Sequence, residues 1–187
     1  MRIRTPLETR RLILKRPSLE DFDRYFGMSK DPAVMRYIGD GSIFHWTREV
    51  ALERFKTQID IQAQSDVGPL AVYARDPHHY LGWCAVTSSR FLQAPELGYR
   101  YSRDAWGYGY ATEAAAALLS ETHRVTGSAP LLACVHPRNG SSIRVLQKLG
   151  FVFDHARRSN AAGCHLSVYR IDWRRFGNSR SEVTLSE

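Results

Sequence analysis

The run Trp106-Gly107-Tyr108-Gly109-Tyr110-Ala111-Thr112-Glu113-Ala114 constrains the fold more than any other stretch, because it joins a strand pattern directly to a helix pattern. Upstream, Glu96-Leu97-Gly98-Tyr99-Arg100-Tyr101 reads as a strand. Downstream, Thr112 to about Val125 gathers Ala114, Ala115, Leu118 and Val125 on one face, with alanines small enough for a helix to lie close on a sheet. Gly107 and Gly109 let the backbone turn tightly and aim successive N–H groups at one spot, where the helix N-terminus adds partial positive charge. Such a junction suits an anion, a pyrophosphate in particular. It is not a G-x-G-x-x-G dinucleotide fingerprint, since Thr112 holds the third glycine position, and no Gly-Lys-Ser/Thr follows to make a phosphate loop of the Walker type. Taken alone, two glycines so spaced fit a plain connecting loop better than an anion site.

The surrounding sequence supplies the architecture. Arg11 to Pro17 reads as a strand stopped by proline, and Ser18-Leu19-Glu20-Asp21 opens a helix from about Asp21 to Met28. Asp31-Pro32 opens a second helical stretch through Val34, Met35, Tyr37 and Ile38, broken at Gly39-Asp40-Gly41. Thr47 starts a third, with Val50, Leu52, Phe55, Ile59 and Ile61 as its apolar face. Leu70–Ala74 and Leu81–Val86 flank the turn-like 75–79 and predict an antiparallel pair. After the glycine loop and its helix come a short strand at Leu131–Val135 and a helix at Ser142–Leu149 capped by Gly150, with Phe151 folding back on the last turn. A closing strand is expected at His165–Ile171. The expected fold is therefore α/β, a mixed and mostly antiparallel sheet flanked by helices.

Length and composition bound the function. With 187 residues, 43% hydrophobic and 24% charged, the chain suits one globular core that buries about 70% of its unfolded surface. We expect one domain over 1–176 and a polar, frayed tail over 177–187. No apolar run approaches the ~18–20 residues that span a bilayer, and the N-terminus meets charged residues before a signal core can form, so a cytoplasmic protein without membrane contact is expected. Cys84, Cys134 and Cys164 are odd in number and far apart, which reads as buried thiols in a reducing compartment and gives no metal-ligand spacing. The 26 basic residues outnumber the 19 acidic ones for a net charge of +7, but they are scattered, which argues against a nucleic-acid partner.

Together, Glu96-Leu97-Gly98-Tyr99, the glycine run, and Asn139-Gly140-Ser141-Ser142-Ile143-Arg144-Val145-Leu146-Gln147-Lys148-Leu149-Gly150-Phe151 resemble the GNAT superfamily of acyl-CoA-dependent N-acyltransferases. The match is to its RimJ/RimL-like branch, which holds both ribosomal-protein N-terminal and small-amine acetyltransferases. Leu7-Glu8-Thr9-Arg10-Arg11-Leu12-Ile13-Leu14-Lys15-Arg16-Pro17 is similar to that branch's first strand, so the resemblance runs from about Leu7 to Ile171. It implies the GNAT fold, with a splayed sheet, and acetyl-CoA as co-substrate, with no metal. The superfamily's Q/R-x-x-G-x-G/A loop falls on Trp106 to Ala111, with Trp106 in place of Gln/Arg. Backbone amides of Gly107, Tyr108, Gly109, Tyr110, Ala111 and Thr112 would hold the pyrophosphate. Tyr99 and Tyr101 would line the pantetheine arm, with Asn139 on its other side. Glu113 reads as structural, an acidic residue suited to the helix dipole.

The implied chemistry is direct attack of a neutral amine on the thioester. It needs a route for the ammonium proton and a donor for the departing thiolate. The usual donor tyrosine, seven residues after the asparagine, is Leu146 here; the serine that serves in the RimL-like branch is Ser142, which would equally serve as a first-turn cap. Glu96 is the best placed base, acting through water, with a surface ion pair as the alternative. His136 follows the Leu131–Val135 strand and would face acceptor or proton, whereas Cys134 reads as core. His45, Trp46, Arg90, Phe91 and the Arg157–Gly163 stretch would shape the acceptor groove. The expected partners are acetyl-CoA and an amine acceptor, a small molecule or a protein N-terminus, with a homodimer as the frequent assembly of similar proteins. A rival reading keeps the coenzyme pocket without catalysis, as a ligand-sensing or partner-binding module.

Overall fold

The computed structural model describes residues 3–63, 68–159 and 163–177, of which 61–63 are described by backbone. Its strands are β1 (Leu7–Glu8), β2 (Leu12–Lys15), β3 (Pro69–Ala74), β4 (His79–Ser89), β5 (Ala94–Tyr101), β6 (Leu132–Val135), β7 (Phe151–Ser159) and β8 (Cys164–Ile171). They form one sheet in the order β1-β2-β3-β4-β5-β6-β8-β7, antiparallel throughout except for the parallel neighbours β5 and β6. The helices are α1 (Phe22–Lys30), α2 (Pro32–Met35), α3 (Arg48–Ala63), α4 (Tyr110–Thr126) and α5 (Gly140–Lys148), with a last helical turn at 173–177. This is the mixed, mostly antiparallel α/β sheet with flanking helices that the patterns predict. No helix among the described residues is long and apolar enough to cross a membrane.

Strand periodicity sorts side chains to two faces. Leu70 and Val72 of β3, Cys84 and Val86 of β4, and Leu97 and Tyr101 of β5 join Ala114, Ala115, Leu118 and Leu119 of α4 in the main core. The opposite face carries Ala71, Tyr73, Trp83 and Arg100. It meets a second cluster in the helical cap, Phe22, Ala51 and Phe55 with Tyr25, Phe26, Trp46, Leu52 and Ile59 around them.

Charged groups pin these layers. Glu113 accepts from the Thr9 hydroxyl at 2.6 Å, the Arg11 amide at 3.0 Å and Arg11 Nε at 2.7 Å, so the start of α4 is held to the turn between β1 and β2. Glu121, 4% exposed, accepts from the Arg4 amide at 2.7 Å and from Arg124 at 2.6 Å. The Lys30 ammonium donates to the carbonyls of Ile43, Phe44 and Trp46 at 2.8, 3.0 and 2.8 Å, and closes the loop between α2 and α3.

The structure corrects several expectations. The helix expected through Ile38 stops at Met35, one turn long, with Asp31 Oδ1 accepting from the Ala33 amide at 2.8 Å as its cap. The opening segment is a short hairpin, β1 and β2, rather than one strand. Phe151, in one core cluster with Leu146 and Leu149, is the buried first residue of β7, a strand that the sequence pattern does not reveal. β7 lies at the sheet edge with 153–158 exposed, so it has no apolar alternation to reveal it. Arg157 and Arg158 sit on this strand, while 160–162 of that stretch lie outside the described residues. Among the cysteines, Cys84 is fully buried, but Cys134 and Cys164 are only partly so. Gly177 ends a helical turn, and 178–187 and the side chain of Ile61 lie outside the described residues.

Gly150 does cap α5 in the left-handed region, at φ +81°, and a Cβ there would stand 2.7 Å from the Phe176 amide nitrogen. Gly150→Ala should therefore lower stability by about 1–3 kcal/mol through backbone strain, with the clash adding to it. Urea unfolding measures this; a midpoint equal to that of the wild type would mean that Gly150 is neither held in the left-handed region nor covered by the 173–177 turn.

Candidate active site at the opening of the sheet

Gly107 and Gly109 both lie at positive φ, +86° and +79°, and bend the chain from the end of β5 into α4. The first intrahelical bond runs from the Glu113 amide to the Gly109 carbonyl at 3.1 Å, so the amides of residues 107–112 have no acceptor among the described residues. The loop is exposed, and Trp106 ties it back to β5 by donating from its indole N–H to the Tyr101 carbonyl at 2.9 Å. Tyr108, 61% exposed, stacks on Tyr110 at 5.6 Å. Arg11 lies over the Tyr110 ring at 4.8 Å and within 3.6 Å of where a Gly109 Cβ would stand, which adds a cation to the amides. These groups fit a pyrophosphate. Arg11 was not among the expected site residues, because β2 brings it to the loop through sheet pairing that no local spacing encodes.

Beside this loop the sheet opens. β5 and β6 share one registered pair, Glu96 with Leu132, and part beyond it, while β6 stays fully paired with β8 and β5 with β4. The expected arm-lining residues Tyr99 and Tyr101 face the α4 and α5 side. The Tyr101 hydroxyl is buried without a partner, and burial raises its pKa well above the ordinary tyrosine range. The Tyr99 hydroxyl lies 2.9 Å from Ser142 Oγ and 3.2 Å from the Ser142 carbonyl, crossing from β5 to the first turn of α5. Burial raises the Tyr99 pKa also, so the phenol stays protonated. The helix cap is Asn139, whose Oδ1 accepts from the Ser142 amide at 3.2 Å, which leaves the Ser142 hydroxyl to Tyr99. Leu146, at the place of the usual tyrosine, is packed in the core at 1% exposure.

The other face holds the acidic group. The Glu96 carboxyl is raised above its ordinary range by burial, with the Ser89 hydroxyl and the Cys134 backbone amide acting against that shift. Burial, with Glu96 nearby, pushes the Cys134 thiol up to about 12, so it is no nucleophile at neutral pH. Arg157 also acts on Cys134, and its guanidinium lies 4.9 Å over the Phe91 ring, so Glu96, Phe91 and Arg157 gather around one end of β6. His136, just past β6, packs its ring 4.9 Å from that of Tyr37 and accepts the Arg138 amide on Nδ1 at 3.1 Å, which leaves the proton on Nε2. Arg90 and His45 are exposed, and no contact among the described residues joins either to this group. Trp46 is a packing residue of the cap, with Arg54 over its ring at 4.4 Å. No group of three or more His, Cys, Asp or Glu among the described residues could hold a metal ion.

Comparison with known proteins gives this geometry a context. Residues 11–152 match the family model of the acetyltransferase (GNAT) domain. The chain is 28% identical over 168 residues to the uncharacterized N-acetyltransferase p20 of Bacillus licheniformis, covering 87% of this chain and 92% of that one. It is 30% identical over 165 residues to the uncharacterized protein YkkB of Bacillus subtilis, covering 84% and 91%. Among solved structures it resembles an acetyltransferase from Agrobacterium tumefaciens, with a TM-score of 0.73 and 24% identity over 89% of this chain and 93% of that one. The ribosomal L7/L12 alpha-N-protein acetyltransferase RimL, solved with coenzyme A, superposes with a TM-score of 0.73 at 13% identity, covering 88% and 95%.

Gly109→Glu would set a carboxylate among the free amides of the loop. Calorimetry with coenzyme A should show a loss of roughly tenfold or more in affinity, in a protein that still melts cooperatively. Undiminished affinity would place the pyrophosphate elsewhere.

Proposed function

The chain belongs to the GNAT acetyltransferase family, and from that membership we propose that it transfers the acetyl group of acetyl-CoA to a primary amine, as the RimJ/RimL-like branch does. The observation that carries this reading is the run of amides at 107–112, without acceptors among the described residues, beside the opening between β5 and β6. Those amides and Arg11 hold the pyrophosphate, and the pantetheine arm enters the opening along Tyr99 to Tyr101, with Asn139 across from it. Bound acetyl-CoA supplies an activated acyl group on a good leaving thiolate.

The residues of the chain do the rest. Glu96, reached through water, accepts the proton that the amine must lose on attack; its burial raises its proton affinity above that of an ordinary glutamate. Ser142 donates to the departing sulfur. Its proton is free for this when Tyr99, whose own proton burial retains, donates to Ser142 Oγ across their 2.9 Å contact. The two groups lie on opposite faces of β5, so proton acceptance and thiolate stabilisation do not compete for one space. Phe91, Arg157 and His136 line the acceptor's approach.

Thiol release from acetyl-CoA across a panel of primary amines tests the reading, which fails if no amine yields free thiol or acetylated product. Ser142→Ala should lower kcat by roughly a hundredfold while leaving coenzyme affinity within a few-fold; an unaltered rate would return Ser142 to a purely structural place. Glu96 must be ionised to act, and its pKa is raised, so kcat/KM should fall on acidification at a pH above the ordinary glutamate range. Glu96→Gln should lower the rate and abolish that limb of the pH profile.

A further inference from the structure

Arg100 is a charged residue of the site that the reaction above does not use. It follows Tyr99 on β5, so its side chain leaves the opposite face of the sheet, toward the helical cap. It stands in register with Trp83 of β4, and its guanidinium lies over the indole ring, 5.5 Å from the centre. Nη1 donates to Ser29 Oγ of α1 at 3.1 Å, whereas Nε is buried with no acceptor. The polar groups that act on it are the Tyr25 and Tyr80 hydroxyls, and no carboxylate among the described residues pairs with it.

Other arginines of this protein do have carboxylate partners. Arg4 and Arg124 share Glu121, Arg11 pairs with Glu113, Arg103 with Asp31, Arg75 with Glu8 and Arg170 with Asp154. Most of those pairs are well exposed, where the energetic need for a partner is least. Arg100, withdrawn from water, has the greatest need of an anion and lacks one. A guanidinium cannot shed its charge to escape this, and its planar fork matches a carboxylate.

Its position says what the anion belongs to. On the cap side of β5 the successive side-chain positions are Glu96, Gly98 and Arg100. Gly98 carries no side chain, and the Trp83 ring lies against that middle position, its Cζ3 atom 3.7 Å from where a Cβ would stand. Glu96 and Arg100 are about 13 Å apart along the strand. The coenzyme arm, on the reading above, lies behind this stretch at Tyr99 to Tyr101. An acceptor approaching the thioester from the cap side therefore meets a proton acceptor toward one end and an unpaired guanidinium toward the other.

We propose that Arg100 is the carboxylate-binding residue of the acceptor groove, and that the acceptor is an amine that carries a carboxylate, such as an amino acid or a short peptide. This rests on the acetyltransferase reading and narrows it. Polyamines and other multiply cationic amines are excluded by the same charge. Arg157, whose guanidinium lies over the Phe91 ring near Glu96, together with the net charge of +7, favours the encounter with an anionic acceptor.

The test uses the full-length enzyme, acetyl-CoA and pairs of amines that differ in the carboxylate alone, an amino acid against its decarboxylated amine and a dipeptide against its C-terminal amide. The carboxylate member should be preferred in kcat/KM by roughly tenfold to a hundredfold. Arg100→Gln should bring that ratio close to one, chiefly by raising KM for the carboxylate member, and Arg100→Lys should restore part of it. A residue that merely ties β5 to Ser29 would change both members of a pair alike and leave the ratio intact, which overturns the proposal. Equal use of both members by the wild type, or preference for spermidine, also overturns it, and a preference for an aminoalkylphosphonate of matched length overturns the carboxylate assignment. Absence of thiol release with every amine would sink the transfer reading itself, an outcome distinct from a ratio of one.

Discussion

β5 and β6 meet at Glu96 and Leu132 and then separate, and the rest of the molecule is arranged around that separation. Parallel neighbours in a sheet ordinarily continue their ladder, since unpaired backbone groups away from water are costly. Here each strand is saturated on its far side, β5 by β4 from Gly82 to Ser89 and β6 by β8 from Ser167 to Arg170. The inner edges are left with polar groups that an extended, amide-bearing chain can satisfy. α4 and α5 act as the struts of the opening: the first is fixed at its N-terminus by Glu113, and the second is tied to β5 by the Tyr99–Ser142 contact.

The two-residue period of β5 then divides the work. Odd-numbered residues, Leu97, Tyr99 and Tyr101, face the helices that carry the anion loop and Ser142. Even-numbered residues, Glu96, Gly98 and Arg100, face the cap. A single strand thus presents coenzyme-side chemistry on one surface and acceptor-side chemistry on the other, and a one-residue slip of its register against β4 would exchange them.

The sequence discloses the parts of this that are local. The helix α4, the glycine turn, the β3–β4 pair and the cap at Gly150 are each written in contiguous residues, and each stands where its pattern puts it. What escapes is set by partners distant in the chain. β7 carries Asp154, His155, Arg157 and Arg158 where a strand pattern calls for apolar residues, because only one of its edges and little of its surface is covered. α2 stops after one turn, and Lys30 holds the carbonyls of Ile43, Phe44 and Trp46 farther along the loop that follows. Arg11 and Arg100 look like any of the scattered arginines until sheet pairing sets one beside Gly109 and the other beneath the cap. Trp46 reads as an acceptor-groove residue in the sequence, and the fold packs it, partly buried, against the cluster of the cap.

The ends of the sheet bear on how the protein keeps company with itself. A sheet of eight strands has two outer edges, and an open edge is a template on which another chain can add a strand. At one end β1 is two residues long, too short to template anything. At the other, β7 is long enough, but the charges that hid it from sequence reading line its exposed stretch, and a further strand would have to desolvate them to pair. The same residues that obscure β7 as a strand thus protect the folded protein from edge-to-edge aggregation.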